Sequence, residues 1–528
     1  MKTQCLRTPP FACLVIFTGA GYAQSMAIAG SQRRVNPTGT IWRECSVAVR
    51  FDQPNEAVVA ANNIYGEPVA VNVGFGVTFN GGSSFTNGSL GLFSDPGVVA
   101  DPVTGRMWIS ALGCTGGIGA VYKDAGSSVF SDICCIRSFS SIDKPLMAIG
   151  ADGRQYVSYS ILTGNCPRAL WTGASSTPTD CPWPAGVRME PLNHPGDCRW
   201  VGLGAMPVVL DTGRVVVVNL SRFESGDRIY NDLLPFVLYS DDDGATWLPD
   251  ADVPVAVAED SNIRYARPED TPNGLDRNVN YPSIAVDPTD NSNVYVAFTA
   301  RAESTLDAAD RNTDVYLSRS TNGGLTFPDV PIHLVPLTDL LLTGQPGGLR
   351  GPDQVMPAIA VDACGGVNVL FYDDRHDADL NDSVHWYDLY FVRITGYGTP
   401  EQAIQQIRLT PTSFLLTPAA GFLGDYQHMA AAPPGAATPT ATVYPAYIAM
   451  AKDANFQWTQ QNCYMHKIQI LCGESLGGYG GGEGALVFEK LCGDGVLDSD
   501  LNGDGSVDAG DQAMFCEIYD SEMAKWNE

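Results

Sequence analysis

Short apolar runs of four to six residues, separated by turns that carry Gly, Asp or Asn, fill the chain from about residue 46 to residue 450. Runs of that length bounded by turn residues predict β-strands. They come in pairs. An apolar run, a short turn and a second apolar run recur at 46–50 with 57–60, 97–100 with 106–110, 145–149 with 155–158, 206–210 with 215–220, 282–286 with 294–298, 357–361 with 367–371, and 429–432 with 443–450. Most pairs are followed by a third run, as at 235–239 and 314–317. A unit of three or four antiparallel strands repeated around a ring describes a β-propeller, whose radial closure protects the sheet edges. Seven pairs predict seven blades in an all-β fold. An array of β-sandwiches would need linkers between its units, and none appears before residue 471.

The turns after the third strands carry a second repeat. Ser240, Asp242, Gly244, Thr246 and Trp247 recur as Ser320, Asn322, Gly324, Thr326 and Phe327, and again as Thr78, Asn80, Gly82, Ser84 and Phe85. A worn copy is 124–128. The chemistry is local: an Asx side chain satisfies backbone N–H groups, glycine takes positive φ, and the closing aromatic packs beneath the turn.

With these turns in view, the chain resembles the Asp-box, or BNR-repeat, proteins of the sialidase-like superfamily over about residues 40–470. Asp143-Lys144-Pro145, Gln354 to Pro357 and Gly424-Asp425-Tyr426 resemble phrases of bacterial proteins in that group. The resemblance implies a propeller and an exo-glycosidase of sialidase type. Sialidases have six blades, which is the alternative to seven, and an Arg-Ile-Pro signature for the substrate carboxylate. That tripeptide is absent here.

The N-terminus sets the expected compartment. Lys2 and Arg7 precede an apolar run over 11–17, and Gly21-Tyr22-Ala23 offers small residues to a signal peptidase, so residues 1–23 are expected to be a signal peptide cleaved after Ala23. The alternative is an uncleaved anchor, for which the run is short. No other stretch is apolar enough for a spanning helix. The expected destination is therefore secretion or the cell surface. Of 14 cysteines, removal of Cys5 and Cys13 leaves an even 12, suited to disulfides. No CxxC pair recurs, which disfavours zinc. Cys134 and Cys135 are adjacent and should pair with different partners.

Composition narrows the partners. The formal charge of −28 disfavours capture of a phosphate backbone, so nucleic acid is dropped. Hydrophobic residues at 45%, with 55 Gly and 35 Pro, describe a turn-rich folded protein without a majority of long helices. The segments 219–234, 299–313 and 373–387 are long connections on the face opposite the Asp-box turns, where ligands are expected. Arg222, Arg301 and Arg375 each follow a second strand, and three guanidinium groups near the axis would grip a carboxylate or sulfate bidentately. The plainer reading pairs each with a neighbouring carboxylate such as Glu224, Glu303, Asp374 or Asp377. For hydrolysis, candidate acid, base or nucleophile residues are Tyr372, Asp373, Asp425 and Tyr426, since sialidases use tyrosine as nucleophile. The loop 373–382 could hold calcium, although its spacing fits no defined loop.

After Cys472 a Gly-rich linker, 471–490, leads to a separate module, 491–528. Asp500, Asn502, Asp504, Asp508 and Asp511 occupy calcium-loop positions 1, 3, 5, 9 and 12, Ser506 offers its carbonyl at position 7, and Gly505 sits at the sharp turn. A helix is predicted over 513–524. The module resembles one half of a dockerin, with a second loop reduced to Cys492-Gly-Asp494. It implies Ca²⁺ and a protein partner. The expected function is glycan engagement outside the cell, with hydrolysis of an acidic sugar as its catalytic form. A non-catalytic adhesion or assembly module with a calcium-dependent tail is the alternative.

Overall fold

The computed structural model describes residues 26–65, 70–138, 141–162, 169–189, 200–225, 228–229, 234–248, 255–257, 263–265, 281–302, 313–334, 352–377, 385–399, 402–416, 422–432, 440–452 and 458–472. The expected signal peptide, nearly all of the linker and the calcium-loop module lie outside the described residues.

Seven antiparallel sheets surround one axis, so the count of seven blades holds and the six-bladed alternative does not. Blade 1 runs Ile41–Arg50, Gln53–Tyr65, Ala70–Thr78 and Thr86–Leu90 from the axis outward. Blade 2 follows with Gly97–Ala100, Met107–Gly113, Gly117–Lys123 and Cys134–Arg137, and blade 3 with Ile142–Ile149, Gln155–Ile161, Ala169–Ser175 and Val187–Arg188. The innermost strands of blades 4 to 7 are Trp200–Val209, Ser283–Val286, Gln354–Val361 and His428–Ala431. Each innermost strand touches those of the blades before and after it, and blade 7 touches blade 1. All seven strand pairs expected from the sequence are the first two strands of a blade.

The pattern of burial explains why the second strands read as continuous apolar runs. Both faces of a blade are covered by its neighbours, so Val215, Val216, Val217 and Val218 are all fully buried although they alternate between faces. Between blades 1 and 2, Val58, Ala60, Val73 and Val77 pack against Met107, Ile109, Ala111 and Val121. Burial of each larger aliphatic contributes roughly 1.5–3 kcal/mol relative to exposure.

Closure uses both ends of the chain. Arg33–Arg34 pairs with Tyr464 and Met465, and Met26–Ala29 pairs with Ile468–Leu471, so the N-terminal segment forms the outer edge of blade 7. A disulfide between Cys45 and Cys463, 418 positions apart, joins blade 1 to blade 7. Cys134 bonds Cys181 while Cys135 bonds Cys114, the separate partners expected for adjacent cysteines. Cys364 bonds Cys472. These bonds suit an oxidising compartment. Among the described residues no helix is long and apolar enough to cross a membrane.

The repeated turns share one hydrogen-bond scheme. In blade 4, Ser240 Oγ accepts the Gly244 amide at 2.9 Å, and Asp242 accepts the Thr246 amide at 2.8 Å and its hydroxyl at 2.6 Å. Gly244 has φ 82°, which a side chain would strain, and Trp247 is buried beneath the turn. Blades 5 and 1 repeat the scheme with Ser320 and Asn322, and with Thr78 and Asn80.

Candidate functional site

The face opposite these turns is where the innermost strands begin, and there one backbone device recurs. Register shifts fall between Arg43 and Ser46, Asp143 and Leu146, Leu203 and Met206, and Val355 and Ala358. Each bulge carries a positive-φ residue: Glu44, Lys144, Gly204 and Met356. Asp95 and Gly424 also have positive φ, 56° and 116°, in blades 2 and 7. A bulge re-aims a side chain, and a non-glycine residue with positive φ stores about 1–3 kcal/mol that surrounding contacts must offset. Gly424 is required, because a Cβ there would stand 2.4 Å from Glu44 Cγ.

The re-aimed side chains meet near the axis. Lys144 Nζ lies 3.0 Å from Glu44 Oε1, 3.2 Å from Asp95 Oδ1 and 2.7 Å from Asp425 Oδ2, tying blades 3, 1, 2 and 7 through one ammonium. Asn62 donates to Glu44 Oε2, and its Oδ1 accepts the Asp95 amide at 2.8 Å. Glu44 Oε1 also accepts the Asp425 amide at 3.0 Å. Asp95 is hydrogen-bonded to both Glu44 and Asp143.

Four carboxyl groups share one buried cation, and they divide the charge unequally. Burial raises Glu44 well above the usual carboxylate range, and the Lys144 charge offsets this only in part. Burial likewise pushes Asp143 up to about 7 against Lys144. For Asp95 burial is again the largest influence, but Lys144 and hydrogen bonds from Glu44 and Asp143 outweigh it and bring the group down to about 2. Burial acts to lower Lys144, but its carboxylates hold it well above the ordinary lysine value. At neutral pH the cluster therefore keeps a proton among the carboxyls and a full charge on the amine.

Beside the cluster is a recess of about 20 Å³, lined by Lys144, Met206, Tyr281, Tyr426, Gln427 and His428 among others. Tyr426 donates to the Pro96 carbonyl at 3.0 Å, lies 5.3 Å beneath Lys144 Nζ and stacks on His428 at 5.0 Å. Burial raises the Tyr281 and Tyr426 phenols and lowers His428 to about 4, so all three stay neutral near pH 7.

The residues expected from sequence are spread over more than one place. Asp425 and Tyr426 belong to the axial cluster. Tyr372 is a strut between blades 6 and 7: its buried hydroxyl donates to the Ile448 carbonyl at 2.8 Å and accepts the Ile448 amide at 3.1 Å. Asp373 is fully buried and holds Arg375, whose Nη2 lies 2.5 Å from it. Arg375 also bonds Gln406 at 3.1 Å and stacks 4.0 Å over Tyr390. Arg222 and Arg301 lie inside their second strands, Val215–Ser225 and Val294–Ala302, rather than beyond them. Those strands are prolonged by pairing, Arg222 opposite Val201 and Arg301 opposite Arg264. Both arginine side chains lie outside the described residues. Among the described residues no group of three His, Cys, Asp or Glu is arranged to hold a metal ion. Asp500, Asn502, Asp504, Ser506, Asp508 and Asp511 lie outside the described residues.

Glu44, Asp95, Asp143 and Lys144 escaped selection as site residues. A usable signal was present: a residue ahead of proline at the start of an innermost strand, as in Asp95-Pro96, Lys144-Pro145, Tyr281-Pro282 and Met356-Pro357.

The fold and its charged axis define a seven-bladed β-propeller with a candidate site at the centre of one face. No protein-family model and no curated protein matches the chain. Among solved structures it is similar to a protein of unknown function from Dyadobacter fermentans, at 12% identity over 84% of this chain and 99% of that one, with a TM-score of 0.42. It is also similar to polysaccharide lyase Uly1, at 9% identity, 81% and 90% coverage and a TM-score of 0.44. The intramolecular trans-sialidase from Ruminococcus gnavus is a third, at 10% identity, 82% and 96% coverage and a TM-score of 0.37.

Proposed function

We propose that the protein is an exported propeller that engages extracellular glycans through its axial face. The observation that carries this reading is the recess bordered by Tyr281, Tyr426, Gln427 and His428 beside a buried cluster of four carboxyls and one lysine. Aromatic faces with a few convergent polar groups suit a sugar ring and its hydroxyls. Cleavage of a glycosidic bond is the catalytic form of this reading. Asp143, held to about 7, keeps a proton that it could donate to a leaving oxygen. A non-catalytic adhesion or assembly role is favoured by a different observation. Glu44, Asp95 and Asp425 are each held by the one Lys144 ammonium, at 3.0, 3.2 and 2.7 Å, and so are bound into a structural ion cluster rather than left free to act on a substrate.

Preference for an acidic sugar rests on Arg222 and Arg301, because Arg375 is engaged by Asp373. Export through cleavage after Ala23 belongs to the same reading, as does a calcium-binding tail. In that tail Asp500, Asn502, Asp504, Asp508 and Asp511 supply side-chain oxygens, Ser506 its carbonyl, and a protein partner docks on the ordered module. The test is calorimetry of the full chain against neutral arabinan and xylan and a sialylated glycan, with release of reducing sugar followed in parallel. Binding without release selects the non-catalytic role. Release that is lost in Asp143→Asn while binding persists selects hydrolysis, and no binding to any of the three refutes glycan engagement.

A further inference from the structure

The axis is divided into two halves, and the division selects a chemical group for the recess; the inference rests on the proposed function. Blades 7, 1, 2 and 3 bring Asp425, Glu44, Asp95 and Lys144 together as the charged half. Leu146, Met206, Tyr281, Pro282 and Pro357, from blades 3 to 6, line the recess with apolar surface.

Blade 4 makes room for that surface. Tyr281-Pro282 stands in blade 5 where Lys144-Pro145 stands in blade 3. Gly204, at the bulge of the blade between them, presents no side chain, and a Cβ there would stand 2.3 Å from Tyr281 Cδ1. The ring therefore lies directly on the glycine backbone. The charged groups that act on its hydroxyl, Lys144, Asp425, Asp143 and Glu44, all belong to the charged half, which puts the polar end of the ring on that side. Ser283, Lys144 and Tyr426 in the wall are already engaged. Ser283 Oγ accepts the Ile359 amide at 3.2 Å and meets Met206 Sδ at 3.5 Å, Lys144 is shared by three carboxyls, and Tyr426 donates to the Pro96 carbonyl.

We infer that the recess is a subsite for the methyl group of a 6-deoxy sugar. Size agrees, because about 20 Å³ admits one group as large as a water or a methyl. Chemistry separates those two: a water needs two to four polar partners, whereas a methyl needs only apolar walls such as Leu146, Met206 and the two prolines. The hydroxymethyl group of an ordinary hexose would carry its hydroxyl into the same walls and strip it of water without return. An acetyl methyl arrives on an amide, whose N–H and C=O lie within two bonds of the methyl and would need partners at the mouth of the recess.

The experiment uses the full chain labelled with ¹³C-methyl methionine, with calorimetry on the same samples. The probes are the methyl glycosides of L-rhamnose, L-fucose and D-fucose, each beside its 6-hydroxy counterpart, L-mannose, L-galactose or D-galactose, and the methyl glycoside of N-acetylglucosamine. One 6-deoxy glycoside should bind roughly four- to tenfold more tightly than its counterpart, as burial of a single methyl predicts. Its C6 methyl should also give a nuclear Overhauser contact to the Met206 methyl. Affinity of every 6-deoxy glycoside no greater than that of its counterpart, or binding without the Met206 contact, overturns the subsite and leaves glycan engagement standing. A Met206 contact from the acetyl methyl of N-acetylglucosamine at equal or higher affinity does the same, since the methyl is then taken together with its amide. Binding of a polysaccharide but of none of these glycosides also overturns the subsite alone. No heat with any glycoside or polysaccharide overturns both.

Discussion

The two faces of the propeller are built on opposite principles. On one face, the turn around Asp242 is assembled from residues no more than four positions apart, and its hydrogen bonds reappear in two other blades. On the other, Lys144 meets Asp95 across 49 positions and Glu44 across 100, and the Asp425 amide reaches Glu44 across 381. The first face repeats both backbone and side chain. The second repeats a positive-φ position but changes what it displays: carboxyl at Glu44 and Asp95, amine at Lys144, none at Gly204, thioether at Met356. Where a ring repeats its residues it is making scaffold, and where it repeats only the backbone it frees the side chains for a site.

The sharpest test of that contrast removes the shared cation. Lys144→Met leaves three buried carboxylates facing one another, and stripping one partner from a buried ion pair costs about 3–5 kcal/mol. Urea unfolding followed by tryptophan fluorescence should show a loss in this range. A loss below about 1 kcal/mol would mean that the carboxyls simply take up protons and that charge does not hold the four blades together.

Covalent closure comes next in size. Replacing Cys45 and Cys463 with serine opens the link between blades 1 and 7 and should cost roughly 2–5 kcal/mol, because a loop of 418 residues is no longer closed in the unfolded chain. Stability unchanged in non-reducing thermal melts would show that strand pairing of 26–34 with 464–471 is sufficient.

Protonation separates the faces more finely. The folded state holds the Asp143 proton up to about 7, above its unfolded value, so this stabilisation is complete in acid and is lost as pH rises from about 4 through 7. Asp95, down at about 2, has the opposite sign: its contribution is present at neutral pH and is lost only as pH falls toward 2. Buried His428, lowered to about 4, adds the opposite slope to both proteins, so the Asp143 contribution is read as a difference: between pH 4 and 8 the stability of the wild type relative to Asp143→Asn should shrink with rising pH. An equal slope in both proteins would assign the titration elsewhere, with Glu44 as the neighbouring group.

How much could be read from the chain follows from the same contrast. The seven strand pairs were legible because both faces of each blade are buried, which leaves continuous apolar runs such as Val215 to Val218. The turns were legible because Ser240, Asp242 and Gly244 lie within five residues and each has a stated backbone task. The axial cluster was not. Glu44 follows Arg43 with nothing local to distinguish it from other acidic residues in a chain of charge −28, and the proline after Asp95 and after Lys144 marks a place in the blade without saying that the two side chains meet. Only blade closure brings Glu44 and Asp95 to Lys144. Arg375 follows the plainer reading of the sequence, pairing with a carboxylate beside it, Asp373, while Gln406 and the Tyr390 ring that it also meets come from the neighbouring strands of the blade.

The smallest effect is expected on the repeated face. Asp242→Ala removes the acceptor for the Thr246 amide and hydroxyl in an exposed turn, leaving both donors free to bind water. The loss should be about 1 kcal/mol, as for an N-cap side chain, and far below that of Lys144→Met. Hydrogen bonds from Thr246 hold the Asp242 carboxyl below its ordinary value, so its contribution is present at neutral pH and fades as pH falls through the carboxylate range. Wild type and Asp242→Ala should therefore converge in stability in acid, where Lys144→Met stays distinct because Asp95 still pairs with the amine. Glycan binding should be untouched, since the turn lies on the face opposite Tyr426 and His428. A loss of binding in Asp242→Ala, or a stability cost rivalling that of Lys144→Met, would collapse the division between a face that holds the ring together and a face that meets the ligand.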